Sequence, residues 1–237
     1  MLIFFLLLPL LSLAGDPTIG TMDWKPIEIG VVNLAPLKLL NQTLDANPAQ
    51  SNAQLFKIAD ALYFIGKYER DEECFEKAIK LTEQILATDP KNIGALLAWA
   101  ASKGELAQRK NPFAALSYIR PIKEKFELIK ELAPAHEGFV ADRGLGRLYQ
   151  MSPGFISIGS SKKAREHLKL ALDGAPDHPG NQVYWADFLR SQGEFDEARI
   201  FARKTLSNPH LLTSSLERYD WVRMATEILS KIEPEIK

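Results

Sequence analysis

Apolar residues recur every three to four positions through most of this chain, the spacing that lines up side chains on one face of an α-helix. Leu55, Ile58, Ala59 and Leu62 share one such face, and Phe75, Ala78, Ile79, Thr82, Ile85 and Leu86 share the next. Asp89-Pro90 stops that second helix, and Asn92 opens a third with Ile93, Leu96, Leu97 and Ala100 along its stripe. Asn111 is placed to cap a fourth at Pro112, whose face carries Phe113, Leu116, Ile119, Ile122, Phe126 and Ile129. Pro121 falls inside that helix, where a proline costs about 3 kcal/mol, so a kink or break near Arg120 is expected. Ala133-Pro134 ends it. Further helices are expected over about 137–151, 161–174, 180–192, 195–207 and 214–232, with a short one over 36–46 stopped by Asn47-Pro48. No alternation of period two competes with these patterns, so the chain reads as all-α.

The segments also repeat. Gly193 separates two helical stretches in Gln192-Gly193-Glu194-Phe195-Asp196-Glu197-Ala198-Arg199, and Gly159 does the same upstream of Ala164. Ala164 and Ala198 lie 34 positions apart, the period of a tetratricopeptide repeat. A helix pair of this kind cannot bury its apolar face alone, so neighbours must stack. The expected fold is antiparallel helix pairs stacked as a short right-handed solenoid. Its last helix intersperses Glu217, Arg218, Asp220, Arg223, Glu227 and Lys231 among apolar positions, as suits a cap with one wet face. Gly144 and Gly146 disfavour the helix they sit in by about 1 kcal/mol each relative to alanine, which points to close packing there.

The first 14 residues, MLIFFLLLPLLSLA, are almost wholly apolar, shorter than the roughly 20 a membrane span needs. Ser12-Leu13-Ala14 supplies small residues before a cut at Gly15, so residues 1–14 are expected to be a signal peptide, 15–48 a lead-in and 49–237 the helical-repeat domain. Composition changes this little: 46% hydrophobic and 25% charged residues describe a globular chain. A net charge of −1 provides no field for nucleic acid or anionic lipid. The single cysteine, Cys74, excludes an internal disulfide framework and is expected to act as a small buried apolar residue.

Gly144-Leu145-Gly146-Arg147-Leu148-Tyr149, then Ser152-Pro153-Gly154-Phe155, then Ile158-Gly159-Ser160-Ser161-Lys162-Lys163-Ala164 make a narrower pattern than a generic repeat. Over roughly residues 50–210 the chain resembles the tetratricopeptide-repeat T-component family associated with periplasmic TRAP transporters. The resemblance implies an exported α-helical binding protein, able to form homo-oligomers, that works beside a periplasmic solute-binding protein. Members of that family often carry a lipid-bearing cysteine after a Leu-x-Gly-like run. Here Asp16 follows Leu13-Ala14-Gly15, so a soluble periplasmic form is expected.

Chemistry is sparse. His136, His167, His178 and His210 show no zinc spacing, and no nucleophile elbow, Walker loop or His-Glu-x-x-His is present, so neither a metal nor a cofactor nor catalysis is expected. His178, in Pro176-Asp177-His178-Pro179, is expected in a solvent-exposed turn. Consecutive carboxylates in Glu69-Arg70-Asp71-Glu72-Glu73 point in different directions on a helix and suit its N-terminus better than a cation. Trp99, Trp185 and Trp221 are expected in the core, and Trp24 is expected to pack the lead-in against the solenoid. Asn41-Gln42-Thr43 has the form of a glycosylation sequon.

One groove remains as a candidate. The first helix of each repeat lines the concave side of such an array, and Arg143, Arg147, Asp187 and Arg190 lie off the apolar stripes of two such helices. Arginines facing one groove can hold a carboxylate through paired N–H donors; the competing reading is an ordinary solvated face. The function expected is a non-enzymatic exported scaffold that binds a protein partner or a small hydrophobic or acidic solute, in its sharpest form an accessory to solute uptake. The alternatives are a general envelope assembly scaffold with no transport link and an enzyme-associated subunit.

Overall fold

The computed structural model describes residues 34–45, 51–208 and 216–232, which form helices and no strand. In chain order these are α1 (Ala35–Asp45), α2 (Asn52–Glu69), α3 (Glu72–Thr88), α4 (Ile93–Arg109), α5 (Pro112–Leu132), α6 (Val140–Met151), α7 (Ser161–Gly174), α8 (Pro179–Ser191), α9 (Phe195–Leu206) and α10 (Glu217–Ile232). The expected signal segment, Trp24 and the lead-in before residue 34 lie outside the described residues.

Local chemistry places most helix starts. Ser51 and Gln54 form a reciprocal capping box on α2, and Asp71, Asn92, Asn111 and Ser160 accept from the exposed N–H groups of α3, α4, α5 and α7. Each such cap is worth about 1 kcal/mol. Glu72 and Glu73 occupy the first turn of α3, where the helix dipole favours negative charge. The acidic run is therefore a helix start. Its carboxylates pair outward, Glu69 with Lys38, Glu72 with Lys110 and Glu73 with Lys77.

Consecutive helices pack as pairs, α2 with α3, α4 with α5, α6 with α7 and α8 with α9, and α10 closes the row against α8 and α9. Contacts of α2 with α4, α6 with α8 and α8 with α10 make these helices one side of the stack, the tetratricopeptide-like arrangement expected from the repeat. A continuous core from Phe75 to Ile232 takes in Trp99, Trp185 and Trp221, and a smaller one joins Ile58, Leu62 and Ile65 to Cys74 and Ala78. Close approach at Gly144 and Gly146 is confirmed: a Cβ on Gly144 would overlap the Phe126 ring of α5, and one on Gly146 would lie 2.5 Å from Leu168 Cγ of α7.

The break expected at Pro121 does not occur, and three other local expectations fail, each for a physical reason. α5 continues through Pro121 without a break. The carbonyl that loses its partner belongs to Ser117, an exposed residue, so water can take the place of the missing N–H. Phe113 stands 77% exposed, in a first turn of α5 where Asn111 and Ala114 are exposed as well. α6 begins at Val140, since Glu137, Gly138 and Phe139 adopt φ values of 44°, 64° and 63°, left-handed backbone that no right-handed helix contains. His178 is half-buried: its Nδ1 caps α8 by accepting from Gly180 N at 3.1 Å, and its ring meets Trp221 edge-on and lies against Gly138.

Candidate ligand-binding face

α6 and α8 bring the four groove residues to adjacent turns, but into two different environments. Arg143, expected in the groove, is buried. Its Nη1 donates to Asn181 Oδ1 of α8 at 2.7 Å and to the carbonyls of Gly138 and Glu137 at 3.2 and 3.4 Å. Burial holds its guanidinium below the usual arginine range, against the opposing pull of Tyr184, Glu217 and Glu137. Asn181 completes the link by donating to the carbonyls of Gly138, Ala171 and Ala175 at 3.0, 2.7 and 3.1 Å. Arg143 therefore ties α6, α8 and the loop between α5 and α6 together and, being buried, offers no donor to the groove.

Arg147, Asp187 and Arg190 do converge. Asp187 Oδ2 accepts from Arg147 Nη1 and from Gln150 Nε2, the latter at 3.2 Å, and its Oδ1 accepts from Arg190 Nη2 and Nε at 2.8 and 3.2 Å. Gln150 Oε1 accepts from Arg147 at 3.1 Å, and the Arg147 guanidinium lies 5.6 Å from the centre of the Tyr184 ring. Burial would push the Asp187 carboxyl up, but Arg147 and Arg190 outweigh it and hold the group below the usual carboxylate range. Two guanidiniums thus share one carboxylate. The cluster keeps a net positive charge, both arginine side chains stay about 30% exposed, and each keeps N–H donors that Asp187 does not use. Such a group can accept a second carboxylate from outside.

The sequence gives no warning of a second polar cluster, which shares Tyr184 with this one. Lys67 of α2 reaches Asp220 of α10 at 2.6 Å and Glu105 of α4 at 3.8 Å, and it donates to Tyr63 Oη at 3.3 Å. Tyr68 Oη donates to the Leu216 carbonyl at 2.8 Å. Burial works against the charge on Lys67, but Tyr63, Asp220, Tyr184 and Glu105 outweigh it, and the ammonium is held above the usual lysine range. Close by, the Asp60 carboxyl is pushed up to about 6 by burial and by the Glu217 and Glu137 carboxylates. Glu217 is likewise raised, by burial first, with Arg143 opposing and Glu137 adding. Asp60 and Glu217 are open to solvent. Tyr63, Lys67 and Tyr68 sit within two turns of one helix. Nothing in the sequence says that their partners come from the other end of the chain.

A second polar junction lies between α6 and α7. Buried Asp142 accepts from Lys130 Nζ and from His167 Nδ1, both at 2.7 Å, and the His167 ring stacks on Tyr149. Burial of Asp142 opposes its charge, but His167 and Lys130 outweigh it and hold the carboxyl below the usual range. This junction fastens two helices. Cys74 lies buried at the start of α3 with its thiol donating to Asp71 Oδ2 at 3.3 Å. Burial pushes the thiol up to about 11, which disfavours the reactive thiolate. Among the described residues no three His, Cys, Asp or Glu side chains converge to hold a metal ion, and no helix is long and apolar enough to cross a membrane.

No protein-family model and no curated protein sequence matches the chain. Among solved structures, a thermophilic tetratricopeptide-repeat protein from Thermus thermophilus matches with a TM-score of 0.60 at 19% identity, covering 81% of this chain and 89% of its own. The shared feature at that identity is the fold: this chain is an all-α, tetratricopeptide-like stack of helix pairs.

Proposed function

We propose that this chain is a non-enzymatic binding scaffold whose inner face holds an acidic group of a partner protein or small solute against Arg147 and Arg190. The observation that carries the reading is two partly exposed guanidiniums converging on a single carboxylate, Asp187, with donors left over. Shape and hydrogen bonding suffice for such a role, and no bond need be made or broken. The apolar segment 1–14 and the T-component resemblance over residues 50–210 support its finer form: an exported protein, acting in the periplasm beside a solute-binding protein as an accessory to uptake.

Affinity capture from an envelope extract tests this, using tagged protein and the double variant Arg147→Ala, Arg190→Ala. Charge-assisted hydrogen bonds are worth about 1.5–3 kcal/mol each, so loss of the pair should weaken binding at least about tenfold. The expected result is a solute-binding protein recovered with the wild-type chain and absent with the variant. Equal recovery by both proteins, or no partner for either, overturns the reading.

A further inference from the structure

The loop between α6 and α7 holds two apolar side chains out in solvent. Its base is closed by local contacts: Ser152 N and Oγ donate to the Leu148 carbonyl at 3.1 and 2.7 Å, and Ser160 N donates to the Tyr149 carbonyl at 3.0 Å. Gly154 and Gly159 abut across that base, where a Cβ on Gly154 would lie 3.3 Å from the Gly159 carbonyl oxygen and one on Gly159 would run into the Ser152 carbonyl. Ile158 packs against the main core. With the loop held in this way, its tip carries Phe155 at 90% and Ile156 at 40% exposure, and Met151 at the end of α6 stands 54% exposed.

Charge follows directly. Because the two sides of the loop meet at Gly154 and Gly159, the first turn of α7 starts at the foot of the tip. That turn contains Lys162 and Lys163, both exposed, and neither forms an ion pair among the described residues. Lys163 Nζ lies 5.2 Å from the centre of the Tyr149 ring. The helix dipole disfavours cations at this end, whereas α3, α9 and α10 carry acidic residues in their first turns. An exposed phenylalanine and two cations at a positive helix end each work against the stability of the chain alone, and they share the short stretch from Met151 to Lys163.

We propose that this tip docks on an anionic phospholipid bilayer, with Phe155 and Ile156 entering the interfacial layer and Lys162 and Lys163 meeting the lipid phosphates. An aromatic and a branched aliphatic side chain suit the boundary between headgroups and acyl chains, and each lysine near an anionic surface adds attraction. A net charge of −1 gives no long-range pull, so these lysines supply the attraction locally. A protein partner fits the tip less well: a specific protein interface takes about 800 Å² from each side, and a projecting tip of two side chains offers far less. The docking does not involve Arg147 or Arg190, so its failure and the failure of the proposed function are separate results.

An environment-sensitive fluorophore at Ile156→Cys, in the full chain with Cys74→Ala, tests this on vesicles of equal parts phosphatidylglycerol and phosphatidylcholine. The same label at Ile200→Cys, a position 62% exposed on α9, controls for adsorption through other parts of the chain. The tip label should shift to the blue on these vesicles and the α9 label should not. Phe155→Ser should weaken vesicle binding about tenfold or more, for the apolar surface no longer buried. Lys162→Ala together with Lys163→Ala, or vesicles of phosphatidylcholine alone, should weaken it about tenfold to thirtyfold. If circular dichroism shows that Cys74→Ala has lost helix, flotation of unlabelled parent and Phe155→Ser proteins with the same vesicles makes the comparison. No shift on any vesicle, an equal shift at both labels, or binding unchanged by Phe155→Ser overturns the docking. A shift with a lipid-free fraction of envelope proteins and none with vesicles overturns it in favour of a protein partner.

Discussion

The joint between α6 and α8 and the seam between α2 and α10 both connect helices of the inner row, and they do so in opposite ways. At the joint, Arg143 and Asn181 are buried, and between them they bond to one another and to the carbonyls of Glu137, Gly138, Ala171 and Ala175. Small residues let the neighbouring helices of α6 approach closely at Gly144 and Gly146. At the seam, long side chains reach across and neighbouring carboxylates push back. A polar contact between adjacent helices is reinforced by the packed core on either side. The Lys67–Asp220 contact joins helices that are not consecutive in the row, and both of its partners carry charge.

Asn181→Ala strikes the joint hardest. It leaves the Arg143 guanidinium buried with its side-chain partner gone, and removing a hydrogen-bond partner from a buried charged group costs about 3 kcal/mol. At about 2–4 °C per kcal/mol for a chain of this size, thermal denaturation should show a midpoint lowered by roughly 6–12 °C. A midpoint within a degree or two of wild type would mean that the joint does not hold the array.

Glycine substitutions separate close packing from mere helix propensity. Gly144→Ala drives a methyl group into the Phe126 ring, and overpacking of this kind costs about 1–3 kcal/mol. Gly104→Ala on α4 meets nothing within 4 Å and should stabilise by up to about 1 kcal/mol through helix propensity alone. Denaturant titration of both variants checks the pair, and equal responses would refute the packing role of the α6 glycines.

The smallest effect belongs to the seam. Because the Asp60 carboxyl is raised to about 6 while exposed to water, the melting temperature should climb slightly as pH falls from 7.5 to 5. Asp60→Asn should flatten that trend without lowering stability at neutral pH. Calorimetry across this range decides it, and a wild-type slope retained by the variant would locate the titration elsewhere.

Features that depend on neighbours in sequence were legible before any coordinates. Asn92 and Asn111 announce their caps, and Gly193, with φ of 81°, ends its repeat as its place before Phe195 suggests. Pro121 breaks no helix because a proline's cost depends on whether its orphaned carbonyl meets water, which periodicity does not report. The groove residues divide the same lesson. Arg143 and Arg147 stand one turn apart on α6, yet α8 presents an amide to the first and a carboxylate to the second.

By itself, the sequence determined the helices, most of their caps and the 34-residue rhythm that makes them stack, since all of these follow from periodicity and from hydrogen bonds made within a few residues. Tertiary structure alone decided which arginine is buried, that Asp187 gathers two others, and that Lys67 finds Asp220 across the array. The reason is physical. Helix formation is local, whereas the burial and charge state of a side chain are set by whatever distant segment the closed stack brings beside it.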